Sequence, residues 1–347
     1  MLSYLTRFWR KDGLPVHLIY HCTYKCNSRC KTCFLWKETH SGDNNNRELG
    51  VDEIKKMREA LKRILWLQIG GGEPFLREDL PQICLAFKDV NTIAIPTNCL
   101  DPEKIENELE KILRNVVSQL FLVLSIDGIG DMHDDIRGVK GNFNKVIETY
   151  KRIDKFRAIY PNFKIGVNTV IIKKNENEII NIIDYAKRFF SLDMHAFEFL
   201  RGRPCDNTLS LPDISKCREL VPIIKNCISS YCYGGGWRGK VLKRIKLYEQ
   251  DLILRTMGDG KKQIDCFAGR LSAVINPYGD VYACELIDEK IGNLRDFNYD
   301  FEKLWMSPRA KGIREKVTDC FCTHSCVYLI NTLFNPRVLL KILLRRN

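Results

Sequence analysis

No stretch of this 347-residue chain approaches the about 20 consecutive apolar residues that cross a bilayer, and the apolar core of Met1–Arg10 is too short for a secretory signal. Membrane-spanning and signal-bearing classes are set aside, and the expected compartment is the cytoplasm. There is no long-period repeat and no low-complexity segment, which removes solenoids and compositionally biased chains. No basic run carries interleaved aromatics, so the net charge of +12 gives no nucleic-acid signature. A solvated basic surface accounts for that charge. A phosphorylated substrate, an acidic redox donor or an anionic membrane face would exploit the same excess.

What the chain has in abundance is cysteine. The 15 thiols are odd in number, sit in a large chain without a signal, and fall in clusters. That pattern points away from a disulfide scaffold and toward metal thiolates in a reducing compartment. Hydrophobic residues at 45% and charged residues at 28% give a globular composition.

Short apolar runs rich in β-branched and aromatic residues predict strands at Val16–Tyr20, Leu65–Ile69, Thr92–Pro96, Leu120–Ile126, Lys164–Ile172 and His195–Leu200. Between them apolar residues recur at helical spacing, as in Ile54, Met57, Leu61, Ile64 and again in Ile179, Ile182, Ile183, Ala186, Phe190. Six β/α alternations imply a parallel sheet with right-handed crossovers. Six is two short of a closed eight-stranded barrel. The expected fold is therefore α/β, a partial (β/α)6 TIM-like barrel, with a doubly wound sheet as the structural alternative. Past Pro204 the alternation stops: Pro212–Tyr233 and Lys240–Thr256 read as helices around a Gly234–Gly236 break. A hairpin follows, Leu271–Asn276 and Val281–Cys284 around Pro277-Tyr278-Gly279-Asp280. The expected organisation is an amphipathic segment 1–13, a barrel 14–203, a helical linker 204–260, a cysteine-rich unit 261–335 and a basic tail 336–347.

The first strand runs into Cys26, Cys30 and Cys33. Three thiolates on one loop can wrap a cubane and leave one iron open, whereas an electron-transfer cluster takes four cysteines. A zinc knot completed by Cys22 or His21 is the competing reading of the spacing. Gly71-Gly72-Glu73-Pro74, Thr97-Asn98 and Ser125-Ile126-Asp127-Gly128 follow the next three strands. All fall at C-terminal strand ends, where α/β barrels build active sites.

Taken together, Cys-x3-Cys-x2-Cys with Tyr24 and Phe34 beside its ends, followed by those three motifs, resembles the radical S-adenosylmethionine (SAM) superfamily. The resemblance implies a [4Fe-4S] cluster on Cys26, Cys30 and Cys33, with SAM chelated to the open iron and reductively cleaved to a 5′-deoxyadenosyl radical. It implies SAM contacts from Gly71, Gly72, Glu73 and Pro74, from Thr97 and Asn98, and from Ser125 and Asp127 to the ribose. Arg137 would clamp the SAM carboxylate, and Asn168, Thr169 and Leu200 would border the adenosine. Near the C-terminus Cys266, Cys284, Cys320, Cys322 and Cys326 resemble a SPASM/twitch extension. Five cysteines rather than seven imply one auxiliary [4Fe-4S] cluster, its four ligands left open among the five, or a structural zinc site. Cys84, Cys99, Cys205, Cys217, Cys227 and Cys232 read as core or incidental.

The implied partners are an electron donor such as flavodoxin or ferredoxin and a small polar or lipid-linked substrate. A peptide-modifying maturase is the alternative, disfavoured because the triad at residue 26 leaves no room for a preceding peptide-recognition domain. A non-enzymatic iron–sulfur or zinc-binding protein is the competing class, and it leaves Gly71–Pro74 and Ser125–Gly128 unexplained. Asn335 and Pro336 predict a capped helix in which Arg337, Lys341 and Arg345 form one cationic stripe beside Val338, Leu339, Leu340, Ile342, Leu343 and Leu344. With Leu2, Leu5, Phe8 and Trp9 beside Arg7, Arg10 and Lys11, this composition suits peripheral contact with an anionic membrane; packing on the protein body is the alternative.

Overall fold

The computed structural model describes residues 13–40, 47–317 and 322–344. The amphipathic segment 1–12, Cys320, Arg345 and Arg346 lie outside the described residues. Six parallel strands come first: β1 (His17–Thr23), β2 (Trp66–Gly71), β3 (Thr92–Thr97), β4 (Gln119–Ser125), β5 (Phe163–Ile171) and β6 (Met194–Phe199). They lie side by side in chain order, each parallel to the next. The partial barrel read from the alternation is the architecture found, and each strand lies within three residues of its expected position.

The layer outside these strands is helical: α1 (Trp36–His40), α2 (Val51–Leu61), α3 (Leu80–Ala86), α4 (Pro102–Asn115), α5 (Asp131–Arg137), α6 (Asn142–Ile153), α7 (Phe156–Ile159) and α8 (Ile179–Phe189). α4 shows why such segments form. Asp101 caps it by accepting the Lys104 N–H at 3.1 Å, and Pro102 opens the first turn. Its Ile105, Leu109, Ile112 and Leu113 are then buried against the sheet. Inside the barrel Trp66 stacks on Phe121, centroids 6.4 Å apart, beside Ala94, Val123 and Met194. This apolar plug closes the end of the barrel remote from the motifs.

Beyond β6 come α9 (Ile214–Ser230) and α10 (Gly236–Asp259), the latter starting four residues earlier than the periodicity predicts. The C-terminal hairpin is β7 (Ser272–Ile275) and β8 (Asp280–Tyr282), extended by β9 (Lys290–Asn293). Sequence reading places this hairpin in a separate unit. The structure instead docks β7 parallel on β1, His17 opposite Ser272 and Tyr20 opposite Ile275, making one nine-stranded sheet. The free edge of β1 carries unpaired backbone groups, and pairing with β7 satisfies them. Helices α11 (Phe301–Trp305), α12 (Pro308–Val317), α13 (Ser325–Leu333) and α14 (Pro336–Leu344) complete the described chain.

Trp305 anchors this C-terminal unit: it is fully buried, stacks on Phe301 at 5.2 Å and carries the Arg314 guanidinium 5.0 Å over its ring. Trp305→Ala is expected to cost about 3–5 kcal/mol of stability, as large aromatic truncations in cores do. Denaturant titration checks it, and a loss under about 1 kcal/mol would show that the unit does not depend on this ring.

Candidate functional site

β1 passes directly into the cysteine loop, and the loop is tied to the second motif by backbone hydrogen bonds. The Gly72 N–H donates to Thr23 O at 2.8 Å and the Glu73 N–H to Lys25 O at 2.8 Å. A Cβ at Gly72 would fall 2.1 Å from Lys25 O, so this close approach requires glycine.

One cavity at the C-terminal mouth of the barrel gathers Cys26, Cys30 and Cys33 with Gly71, Gly72, Glu73, Thr97, Asn98, Ser125, Arg137 and Asn168. Four residues expected there do not line it. Pro74 is buried in the turn after Glu73. Asp127 is 1% exposed; its carboxylate accepts the Val170 N–H at 2.8 Å and holds Arg137 at 3.3 Å, which orients the arginine. The Thr169 hydroxyl is buried, donating to Ile126 O at 2.6 Å with His195 at 2.9 Å. Leu200 continues the ladder to Ile171, outside the cavity wall.

Glu73 is held from both sides. Its carboxylate accepts the Asn98 N–H at 2.7 Å, the Thr97 hydroxyl at 2.9 Å and the Phe75 N–H at 3.2 Å. Burial outweighs these bonds and pushes its pKa up to about 7. Burial likewise raises the thiols of Cys26 to about 11 and Cys33 to about 12. Thiolates in such a pocket need positive charge to exist, which cluster iron supplies. Two buried polar atoms on the cavity wall, Arg137 Nε and Asn168 Oδ1, have no protein partner. They suit a ligand carrying both a carboxylate and hydrogen-bond donors, and SAM is such a ligand.

Three of the five C-terminal cysteines influence one another electrostatically, without forming a ready-made metal-binding group among the described residues. Cys266 and Cys322 are close enough to act on the buried Cys284 thiol, raising its pKa further above what burial alone does. Cys326 sits in α13; its side chain is outside the described set.

Between the two sets of thiols lies a network that the sequence did not reveal. Glu285, next to Cys284, receives His21 Nε2 at 3.0 Å and lies 2.8 Å from His324 Nε2, with Arg201 at 3.9 Å. Burial would raise the Glu285 pKa; the two histidines and the Arg201 charge outweigh it and hold the group ionised, well below the usual carboxylate range. Arg201 also pairs with Glu198 and stacks over Phe34 at 4.8 Å. The signal available in sequence was adjacency alone, since His21 and Glu285 each border a cysteine motif.

Three thiols on a loop at the mouth of a parallel barrel, beside an acid and an arginine able to take the two ends of an amino acid, define an iron–sulfur enzyme that uses SAM. The Radical SAM superfamily description matches residues 20–186, and that of the SPASM iron-sulfur cluster-binding domain matches residues 266–327. The chain belongs to the radical SAM superfamily and carries a SPASM domain; its cofactors are SAM and two [4Fe-4S] clusters. Bound together and given an electron, SAM and the SAM-binding cluster would supply radical chemistry at this mouth of the barrel.

The chain is 25% identical over 326 residues to the antilisterial bacteriocin subtilosin biosynthesis protein AlbA of Bacillus subtilis. That match covers 90% of this chain but 64% of AlbA. It is also 25% identical over 316 residues to the mycofactocin maturase MftC of Mycolicibacterium smegmatis, covering 86% of this chain and 72% of MftC. Among solved structures it resembles Streptococcus suis SuiB bound to S-adenosylmethionine, with TM-score 0.64 and 17% identity over 90% of this chain and 71% of that one. The SuiB likeness concerns the fold.

A pH dependence follows from Glu73. In the role the resemblance implies, Glu73 accepts from the SAM amino group; its carboxyl is protonated below about pH 7 and ionised above. SAM affinity of the cluster-loaded enzyme is therefore expected to rise as pH increases through 7, by about tenfold between pH 6 and 8. Glu73→Gln should weaken binding and flatten the profile. Equilibrium binding at each pH checks it, and a flat wild-type profile removes Glu73 from that role.

Proposed function

We propose that this enzyme is a peptide-modifying maturase that abstracts hydrogen from a residue of a peptide placed between the two cluster sites. The observation that carries this reading is the shape of the site. The reaction cavity of about 290 Å3 shares His21, Phe34, Leu35 and Glu285 with a second cleft of about 400 Å3. That cleft runs between α1 and the SPASM hairpin and is lined by Tyr24, Trp36, Tyr278 and Tyr282. A target residue in the first space, with its neighbours along the aromatic second, suits an extended chain better than one small molecule. Relatives named for bacteriocin biosynthesis and for maturation agree with this, and they favour the peptide over the small polar or lipid-linked substrate expected from the sequence. In this reading the individual SAM contacts keep the roles the resemblance implies, for those residues that face the cavity. A flavodoxin- or ferredoxin-like protein supplies the electron.

Deuterium transfer tests the proposal. With the anaerobic, doubly loaded enzyme, label should enter 5′-deoxyadenosine from deuterated peptides; label arriving only from deuterated sugars or lipids overturns it. Leu35→Trp, which narrows the shared wall, is expected to lower kcat/KM for a peptide at least about tenfold. Substrate-independent SAM cleavage should be unchanged.

The proposal extends to membrane contact through α14. Asn335 caps this helix, its side chain accepting the Val338 N–H at 3.2 Å. Ile342 is buried and Val338 packs beside it on the protein core. Arg337, Leu340, Lys341 and Leu344 form an outward i, i+3, i+4, i+7 stripe, with Leu340 58% and Leu344 70% exposed. The inner face meets the packing alternative, and the outer stripe pairs leucines with cations as anionic lipid requires. No helix among the described residues is long and apolar enough to cross a membrane. Flotation with phosphatidylglycerol vesicles should capture the protein at low salt and lose it when Leu340 and Leu344 become Ser. Equal flotation of that variant removes the stripe from the reading.

A further inference from the structure

The cysteine loop is held on its second side by the end of a short helix. The Lys31 N–H donates to Ile136 O at 2.9 Å and the Arg29 N–H to Arg137 O at 3.3 Å. The Ser28 hydroxyl donates to Arg137 O at 3.0 Å and lies 3.2 Å from Cys30 Sγ. The last carbonyls of a helix have no partners within it, and those of α5 accept loop donors.

Gly138 makes this approach possible. It ends α5 in the left-handed conformation, φ 68°. A Cβ there would fall 2.2 Å from Arg29 O and 2.8 Å from Arg29 C, both rigid backbone. Farther out, Asp135 bridges Lys31, at 2.6 Å, and Lys174.

The opposite side of the same turn faces the SAM site. The Arg137 side chain is 13% exposed on the cavity wall, oriented by Asp127 at 3.3 Å. Asp127 is fixed in turn, donating its N–H to His133 Nδ1 at 3.1 Å, while His133 Nε2 meets Asn142 Oδ1 at 3.1 Å. Burial lowers the His133 pKa to about 4, so this support stays neutral and keeps its hydrogen-bonding pattern at working pH. One residue thus offers its guanidinium to the cofactor and its carbonyl to the loop that carries the cluster.

We propose that α5 couples the two: engagement of the SAM carboxylate by Arg137 tightens the hold of the cysteine loop on its cluster, with Gly138 and Ser28 as positioning residues. This rests on Arg137 as the partner of that carboxylate. Coupling of this kind is a ratio, and it is reciprocal between the two ligands.

Chelator challenge of the doubly loaded protein measures the ratio. The rate of iron loss from the SAM cluster, followed by its reduced EPR signal, is compared with and without SAM. SAM also shields the open iron directly, in wild type and variants alike, so the comparison is between their protection ratios. Gly138→Ala is expected to speed loss without SAM and to lower the protection by about fivefold or more. A merely structural weakening would speed both rates equally and leave the ratio unchanged, which overturns the proposal. If Gly138→Ala does not fold, Ser28→Ala with Asp135→Asn carries the same test, expected to lower the ratio about twofold. Arg137→Lys, which keeps the backbone bonds, should lower SAM affinity without changing the SAM-free loss rate. Unchanged affinity there overturns the premise about Arg137 and leaves the peptide reading standing.

Discussion

Everything at this site answers to one electrostatic demand: three thiolates, a carboxylate and a guanidinium must share a cavity that burial makes hostile to charge. Burial outweighs every favourable contact here, pushing the Cys26 and Cys33 thiols far above neutral pH and Glu73 to about 7. The protein meets the demand with fixed dipoles and counter-charges. Backbone N–H groups and a hydroxyl surround Glu73, Asp127 stands behind Arg137, and two histidines and Arg201 surround Glu285. Such networks stabilise ionised groups when all partners are present and penalise the loss of any one.

The barrel supplies the rigidity these arrangements need. Each motif follows a strand of the central sheet, so its position is set by main-chain ladders and not by loops alone. Six strands leave a gap, and the gap is useful. Tyr233 in the turn before α10 and Leu242 and Lys246 on α10 join the cavity wall, and α13 contributes Ser325 and Leu329. The substrate space is walled partly by segments outside the barrel.

Much of this was legible in the chain. Continuous apolar runs located the strands because strands covered on both faces have no polar side to confuse the pattern. Cysteine spacing located the first site because the loop is local in sequence. What escaped was whatever depended on distant pairing. The docking of β7 on β1 joins residues about 255 apart, and the His21–Glu285–His324 contact spans the same gap. The inward bonds of Asp127 and Thr169 were hidden for another reason: spacing places a residue at a strand end without saying which way its side chain turns. The carboxylate and hydroxyl found partners inside the fold before any ligand could claim them.

Because β7 pairs with β1 and β8 with β7, the strand that leads into the Cys26 loop and the strand that leads to Cys284 lie two apart in one sheet. The separation of the two iron sites is then a matter of strand register, which changes only in whole-residue steps. An electron tunnelling between them would meet the same span whatever substrate lies alongside. Leu242 and Lys246, the part of the cavity wall that α10 supplies, lie outside both matched family descriptions.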